Sequence, residues 1–296
     1  MATKADIYET VTNRIIEALE KGVDGNKWTA PWHGAPSGLP ENVLSHKTYR
    51  GVNVFALFSE QYLRGYESNV WGTFKQWKGL GHPVLKGETG TRIFLWKPTK
   101  RKVQNESGET ETKNSLFATS YVVFNSEQVD GYVKPATEER TPFETVEHAH
   151  AFFAQIGADV SHGGDRAYYS PGADRIQLPH PEYFKDNVSY YATSAHEHVH
   201  WTGHEKRCAR DFLNRFGSEA YAAEELVAEL GSAYICGILG LANEPREDHT
   251  QYLANWLTIL RNDPKAIVTA ASKAQAAVDY LVEHAEVPQE LEAASA

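Results

Sequence analysis

The sequence predicts an α+β protein built in two domains, and three observations carry that reading. Segments with helical and with alternating apolar periodicity occur in both halves. Residues 134–143, rich in Pro, Thr and charge, interrupt both patterns. The charge also changes sign across this stretch. Residues 1–135 hold 17 Lys and Arg against 14 Asp and Glu, whereas residues 136–296 hold 12 against 25. The expected division is a first domain at 1–133, a linker at 134–145 and a second domain at 146–296.

The elements follow in order. Ile7, Ile15, Ile16 and Leu19 share one face of a helix at 5–21, which Gly22 ends. Residues 22–45, with Pro31, Pro36 and Pro40, read as loop anchored by tryptophan. A second helix is expected at 51–66, and a short helical or turn-like piece at 71–78. Strands are expected at Pro83–Lys86, Thr91–Lys97 and Leu116–Asn125. Residues 100–114 are polar without apolar periodicity and read as a mobile loop. Beyond the linker come a helix at 144–156 and two short strands, Ala167–Ser170 and Arg175–Leu178, around a Pro-Gly turn. Four helices follow, at 188–202, 218–239, 248–260 and 264–283, with a frayed acidic tail after them.

Composition narrows the classes. At 41% hydrophobic and 11% aromatic residues, the chain has material for a sizeable core, which excludes global disorder. Cys208 and Cys236 cannot build a secreted disulfide scaffold, so a reducing cytoplasm is expected. The first 22 residues contain no signal-peptide apolar block. The longest apolar run, Leu230–Ala242, is too short to span a bilayer, so no membrane partner is expected.

The strongest chemical signal is His196-Glu197-His198-Val199-His200 on a predicted helix. Histidines at i and i+4 share a face, so His196 and His200 can grip one Zn²⁺, with Mn²⁺ or Co²⁺ as further options. Zinc lowers the pKa of its water to about 7, and Glu197 can take that water's proton. His198, two positions on, points away and reads as packing. A catalytic zinc needs a third protein ligand. Glu225 and Glu229 lie four apart on the next helix, in an otherwise apolar stretch. One can ligate while the other hydrogen-bonds a ligand histidine; Glu225 is the preferred ligand, with Glu229 behind it. His204 competes for the same place but needs a helix break at Gly203. Tyr191 and Tyr221 can stabilise an oxyanion or simply pack. The strand edges before the motif helix can hold an extended peptide by main-chain hydrogen bonds.

The first half interleaves rings and cations in three places: Lys47, Tyr49 and Arg50; Trp71, Lys75, Trp77 and Lys78; Arg92, Trp96 and Lys97. Single-stranded nucleic acid binders use this mixture, cations following phosphates and rings stacking on bases. For any one ring alone, core packing is the simpler reading. No G-x-x-x-x-G-K-[ST] string is present, which excludes P-loop nucleotide hydrolysis.

Longer strings carry a resemblance. K-T-Y-R-G-V-N at Lys47–Asn53, W-G-T-F-K-Q-W at Trp71–Trp77 and G-H-P-V-L-K-G-E at Gly81–Glu88 lie in the first half. H-E-x-x-H-W-T-G-H at His196–His204 and Y-A-A-E-E-L-V-A-E-L at Tyr221–Leu230 lie in the second. Together they resemble the ArdC family of plasmid-borne antirestriction proteins, which is also similar to the N-terminal region of TraC-type plasmid primases. The resemblance implies an N-terminal single-stranded DNA-binding domain and a C-terminal zincin-like metallopeptidase domain. It further implies protection of incoming conjugative plasmid DNA from host restriction. Two accounts of the chemistry follow: proteolysis of a protein or peptide partner, or masking of DNA with a structural, non-catalytic metal site. A free peptidase without any DNA role is a third.

Overall fold

The computed structural model describes residues 4–24, 27–33, 38–104, 110–135, 140–210, 219–241 and 250–285. The N-terminal part opens with α1 (Lys4–Lys21), a two-stranded hairpin of β1 (Val23–Asp24) and β2 (Lys27–Trp28), and β3 (Glu41–Asn42). It continues through α2 (Val52–Arg64), β4 (Val70–Thr73), α3 (Phe74–Gly79), β5 (Thr91–Gln104) and β6 (Thr110–Asn125). The strand order is β3-β4-β6-β5, with β3 parallel to β4 and the other pairs antiparallel.

The C-terminal part runs α4 (Pro142–Ile156), β7 (Asp159–His162), β8 (Tyr168–Ser170), β9 (Arg175–Leu178), α5 (Asn187–Thr202), α6 (Glu219–Leu239), α7 (Thr250–Asn262) and α8 (Ala266–His284). Its sheet has the order β7-β9-β8, parallel between β7 and β9 and antiparallel between β9 and β8. Helix α4 starts where a capping box forms: Thr141 accepts from the Glu144 N–H, Glu144 accepts from the Thr141 N–H, and Pro142 takes the first turn.

Helix α6 is the centre of the packing. Its Ala222, Leu226, Val227, Leu230, Tyr234, Ile235 and Leu239 are all buried, as a helix with neighbours on every side requires. It packs against α5, α7 and α8. Gly231 sets the approach to α5: a Cβ there would lie 2.7 Å from a Val199 methyl. The core does not stop at the linker. Trp32 meets Phe55 edge-on at 5.4 Å, Phe55 meets Tyr234 of α6 at 5.1 Å, and Trp28 meets Trp256 of α7 at 5.7 Å. One continuous cluster thus joins the two parts.

Several segments differ from the sequence expectation: 22–45, expected as loop, contains the short strands β1, β2 and β3, and 71–78, expected as helical or turn-like, begins with β4 before α3. Within 100–114, expected as a mobile loop, residues 100–104 and 110–114 supply the outer ends of β5 and β6, which pair from Thr91↔Val123 out to Gln104↔Thr110, while 105–109 lie outside the described residues. An apolar alternation is missing there because β4 pairs only with the base of β6, leaving a two-stranded ribbon beyond it. The strand expected at Pro83–Lys86 reduces to one bridge, Val84↔Val129. Strand β7, not anticipated, pairs along β9. Residues 286–296, expected as an acidic tail, lie outside the described residues.

A Gly231→Val substitution should lower the unfolding free energy by about 1–3 kcal/mol through overpacking against Val199. Chemical denaturation checks this; an unchanged midpoint would mean that the α5–α6 contact is not tight.

Candidate metal centre

Helix α5 starts at Asp186, whose carboxylate accepts from the Ser189 N–H at 2.7 Å, and ends at Gly203. The i, i+4 spacing places His196 and His200 together, with their Nε2 atoms 3.2 Å apart. The close approach at Gly231 brings α6 alongside. There Glu225 lies with one oxygen 3.4 Å from His196 Nε2 and the other 3.5 Å from His200 Nε2. These three residues offer donor atoms that all fall within 4.8 Å of one another. Among the described residues they form the one such cluster. Two imidazoles and a carboxylate are a donor set that suits a divalent transition metal. All three residues are buried, and so is Glu197.

The surroundings hold the cluster from behind. His200 Nδ1 lies 3.3 Å from Glu224, and Arg210 clamps Glu224 through Nε and Nη2 at 2.9–3.1 Å. Arg210 also donates to Thr202 Oγ1 and to the Val199 carbonyl of α5. Burial alone would lower the His200 pKa, but Glu225, Glu224 and Glu197 outweigh it and lift it to about 10. Burial alone would raise Glu224 and Glu225, but the histidines, and for Glu224 also Arg210, hold both below the usual carboxylate range. His198, two residues before His200, shows the opposite. Its Nδ1–H donates to the Ser194 carbonyl at 2.7 Å, its ring packs 4.7 Å from Phe153, and burial pushes its pKa down to about 4.

Glu229 requires a correction. It stands one turn beyond Glu225 and is bound elsewhere. Trp32 Nε1–H donates to it at 2.9 Å, and His33 Nε2 lies 2.7 Å from the same oxygen. The Ala30 N–H donates to His33 Nδ1 at 2.9 Å, so the His33 proton sits on Nε2 and points at Glu229. The carboxylate beside His200 is Glu224, which sequence spacing did not single out. Its one signal was adjacency to Glu225 in a buried helix. His204 sits in the turn after α5, its Nδ1 accepting from the Lys206 N–H at 3.2 Å, away from the cluster. Tyr221 lies next to the cluster. Burial, the Glu225 carboxylate and a hydrogen bond with Tyr252 hold its phenol well above the ordinary range, so it stays protonated. The Tyr191 hydroxyl meets His150 Nδ1 at 3.1 Å and its ring stacks on Phe153, a packing role.

The residues expected to face nucleic acid divide. Lys47, Lys75, Lys78 and Arg92 are exposed. Trp71 and Trp77 are 0% exposed, so neither ring has a face to offer a base. Trp77 is fixed there by an Nε1–H bond to the Phe124 carbonyl at 2.9 Å. Tyr49 is half-buried and accepts from Asn42 at 3.1 Å, and Arg50 pairs with Asp279 of α8. Trp96 and Lys97 lie on β5, with side chains outside what the structure describes.

Comparison with known proteins agrees with this architecture. A family model for the N-terminal domain of anti-restriction factor ArdC matches residues 5–124, and one for a zincin-like metallopeptidase matches residues 147–273. The uncharacterized protein y4eC of Sinorhizobium fredii is 44% identical, over 94% of this chain and 92% of its own length. A DNA primase TraC of Escherichia coli is 36% identical over 94% of this chain, which spans only 27% of that primase. The metal-free crystal structure of the antirestriction protein ArdC from plasmid R388 superposes with a TM-score of 0.78 at 35% identity. The match covers 95% of this chain and 98% of that one. Its Mn(II)-bound form superposes with a TM-score of 0.73 at 36% identity and the same coverage. The two-domain α+β architecture, with a zincin-like C-terminal domain, is thus shared, and the Mn(II)-bound neighbour agrees with a divalent metal in it. Among the described residues no helix is long and apolar enough to cross a membrane.

Glu224→Gln should weaken divalent-metal affinity by about 10- to 100-fold, because His200 loses its charged partner. Glu229→Gln should leave that affinity within about twofold yet cost roughly 1.5–3 kcal/mol of stability, as a charged acceptor is lost. Calorimetric titration of the metal-free protein with Zn²⁺ and Mn²⁺, paired with denaturant melts, separates the two. Equal metal loss in both variants would reinstate Glu229 at the centre.

Proposed function

The chain belongs to the ArdC family, and from that premise we propose that it is an antirestriction protein of incoming conjugative plasmid DNA. In this reading the N-terminal domain binds single-stranded DNA. The C-terminal domain is a Zn²⁺-dependent peptidase acting on a protein near that DNA, with Mn²⁺ or Co²⁺ able to substitute. The observation that carries the peptidase half is the buried cluster of His196, His200 and Glu225 with Glu197 beside it.

Each residue then has a task. His196, His200 and Glu225 hold the cation, which when bound supplies Lewis acidity for polarising a carbonyl. Glu197 accepts the proton of the attacking water and delivers it to the leaving amine. Tyr221, held protonated beside Glu225, donates a hydrogen bond to the developing oxyanion. Strand β8 borders the three-stranded sheet next to α5, and its outer edge can take the backbone of an extended peptide. The reading places the protein in the cytoplasm, where free Cys208 and Cys236 remain reduced.

The rival is DNA masking with a structural metal. The low exposure of all three donors favours it, since structural sites are closed. Plasmid transfer into a restricting host, normalised to a non-restricting one, decides between them. Glu197→Ala should keep its metal, lose hydrolysis by about 10²–10⁴-fold and lose protection. Full protection by that variant at normal expression would favour masking.

A further inference from the structure

A cavity of about 350 Å³ lies in the N-terminal part, between α1, α2 and the start of β5. Arg14 of α1, Glu60 and Arg64 of α2, and Thr91 and Arg92 of β5 line it. The Glu60 side chain, 5% exposed, holds the arrangement together. Arg14 Nε donates to its Oε2 at 2.7 Å, and Arg64 Nε donates to its Oε1. A buried carboxylate with an arginine on each oxygen has its charge answered, and in turn it fixes both guanidinium planes.

Several donors of this lining are left over. Arg14 spends Nη1 on Glu17 at 2.6 Å, and Arg64 spends Nη1 on the Tyr66 hydroxyl at 3.3 Å, with Glu88 3.9 Å away. Glu17 and Glu88 are partly solvated and stand outside the lining, so both hold their arginines weakly. The Nη2 groups of Arg14 and Arg64, with two N–H donors each, have no partner among the described residues. Arg92 is exposed and forms no hydrogen bond or ion pair among them. Thr91 is only 9% exposed, and its Oγ1 is a buried hydroxyl without a hydrogen-bond partner. Buried polar groups are nearly always paired, so such a hydroxyl in a cavity wall marks a place for a ligand. The lining as a whole carries three cations against one acid.

We propose that this cavity binds a phosphate dianion, either free orthophosphate or the phosphate group of a small monoester. The two Nη2 groups and the Arg92 guanidinium take its oxygens, and the Thr91 hydroxyl donates to one more. Charge-assisted bonds from guanidinium groups are the strong way to hold phosphate, and here two of the three are fixed beforehand. Donors arriving from α1, α2 and β5 converge from different directions, which suits a tetrahedral anion better than a planar carboxylate. The volume leaves room for a small organic group beside the phosphate. This site is separate from the metal centre and does not rest on the single-strand reading. Because the anion ties three elements together, binding it stabilises the fold by mass action.

The test titrates the full chain with sodium phosphate and with ribose 5-phosphate by calorimetry, at ionic strength matched with sodium chloride, and follows thermal melts in parallel. Wild type should bind one equivalent, with a melting temperature that rises to a plateau. Arg92→Ala removes a side chain the fold does not use and should weaken binding at least tenfold. Thr91→Val keeps the shape without the hydroxyl and should weaken it about three- to tenfold. Lys273→Ala, an exposed cation on α8, should change affinity less than twofold. Tighter binding of ribose 5-phosphate assigns the pocket to an ester, and equal binding assigns it to free phosphate; both support the site. Absence of saturable binding overturns it. So does binding that Arg92→Ala and Thr91→Val leave intact. A melting temperature that climbs without a plateau, equally in Arg92→Ala, is general salting by phosphate and also overturns it. Displacement of phosphate by an oligo(dT) without terminal phosphates would make the cavity part of a strand path and end its claim to be a separate site.

Discussion

Three carboxylates on one buried helix govern this structure. From α6, Glu224, Glu225 and Glu229 reach three different sets of partners, and none can stay charged in the interior without them. Glu225 turns to the two imidazoles of α5. Glu224 turns to His200 and to Arg210, which in turn ties down the last turn of α5. Glu229 turns to Trp32 and His33 of the N-terminal part. Satisfying these three charges fixes the depth of α5, the course of the chain after it and the docking of residues 30–33.

The same logic explains why two histidines on one turn behave oppositely. His198 faces Phe153 and a carbonyl and is kept neutral by burial. His200 faces carboxylates and is held cationic until something else supplies the positive charge. The pocket is thus negative by construction, and a divalent cation meets a demand that a proton meets only in part.

Much of this was legible in the sequence, and the failures have physical causes. The His-Glu-x-x-His string on a helix, and the helix of acids after it, follow from periodicity alone. Spacing could not say which acid stands where, because Glu225 and Glu229 share a face but lie one turn apart in height. Only the level at which α5 crosses α6 gives Glu225 to the histidines and leaves Glu229 to Trp32 and His33. The tryptophans misled for a different reason. A ring flanked by lysines has the same local sequence whether it lines a core or a surface, and Trp71 and Trp77 line a core. The β5–β6 ribbon was half missed because residues 100–104 and 110–114 extend past the pairing with β4 and carry no apolar alternation in sequence.

The bond from His33 and Trp32 to Glu229 bears on how such a protein is inherited. Severing the chain between its halves would leave a carboxylate stranded inside α6 and strip Trp28, Trp32 and Phe55 from the aromatic seam. The metallopeptidase-like half is therefore a poor item of exchange by itself. Recombination that copied it without its N-terminal neighbour would deliver a fragment with an open wound in its core. The whole unit has to move as one piece, and the primase that contains a matching region aligns with nearly all of this chain together.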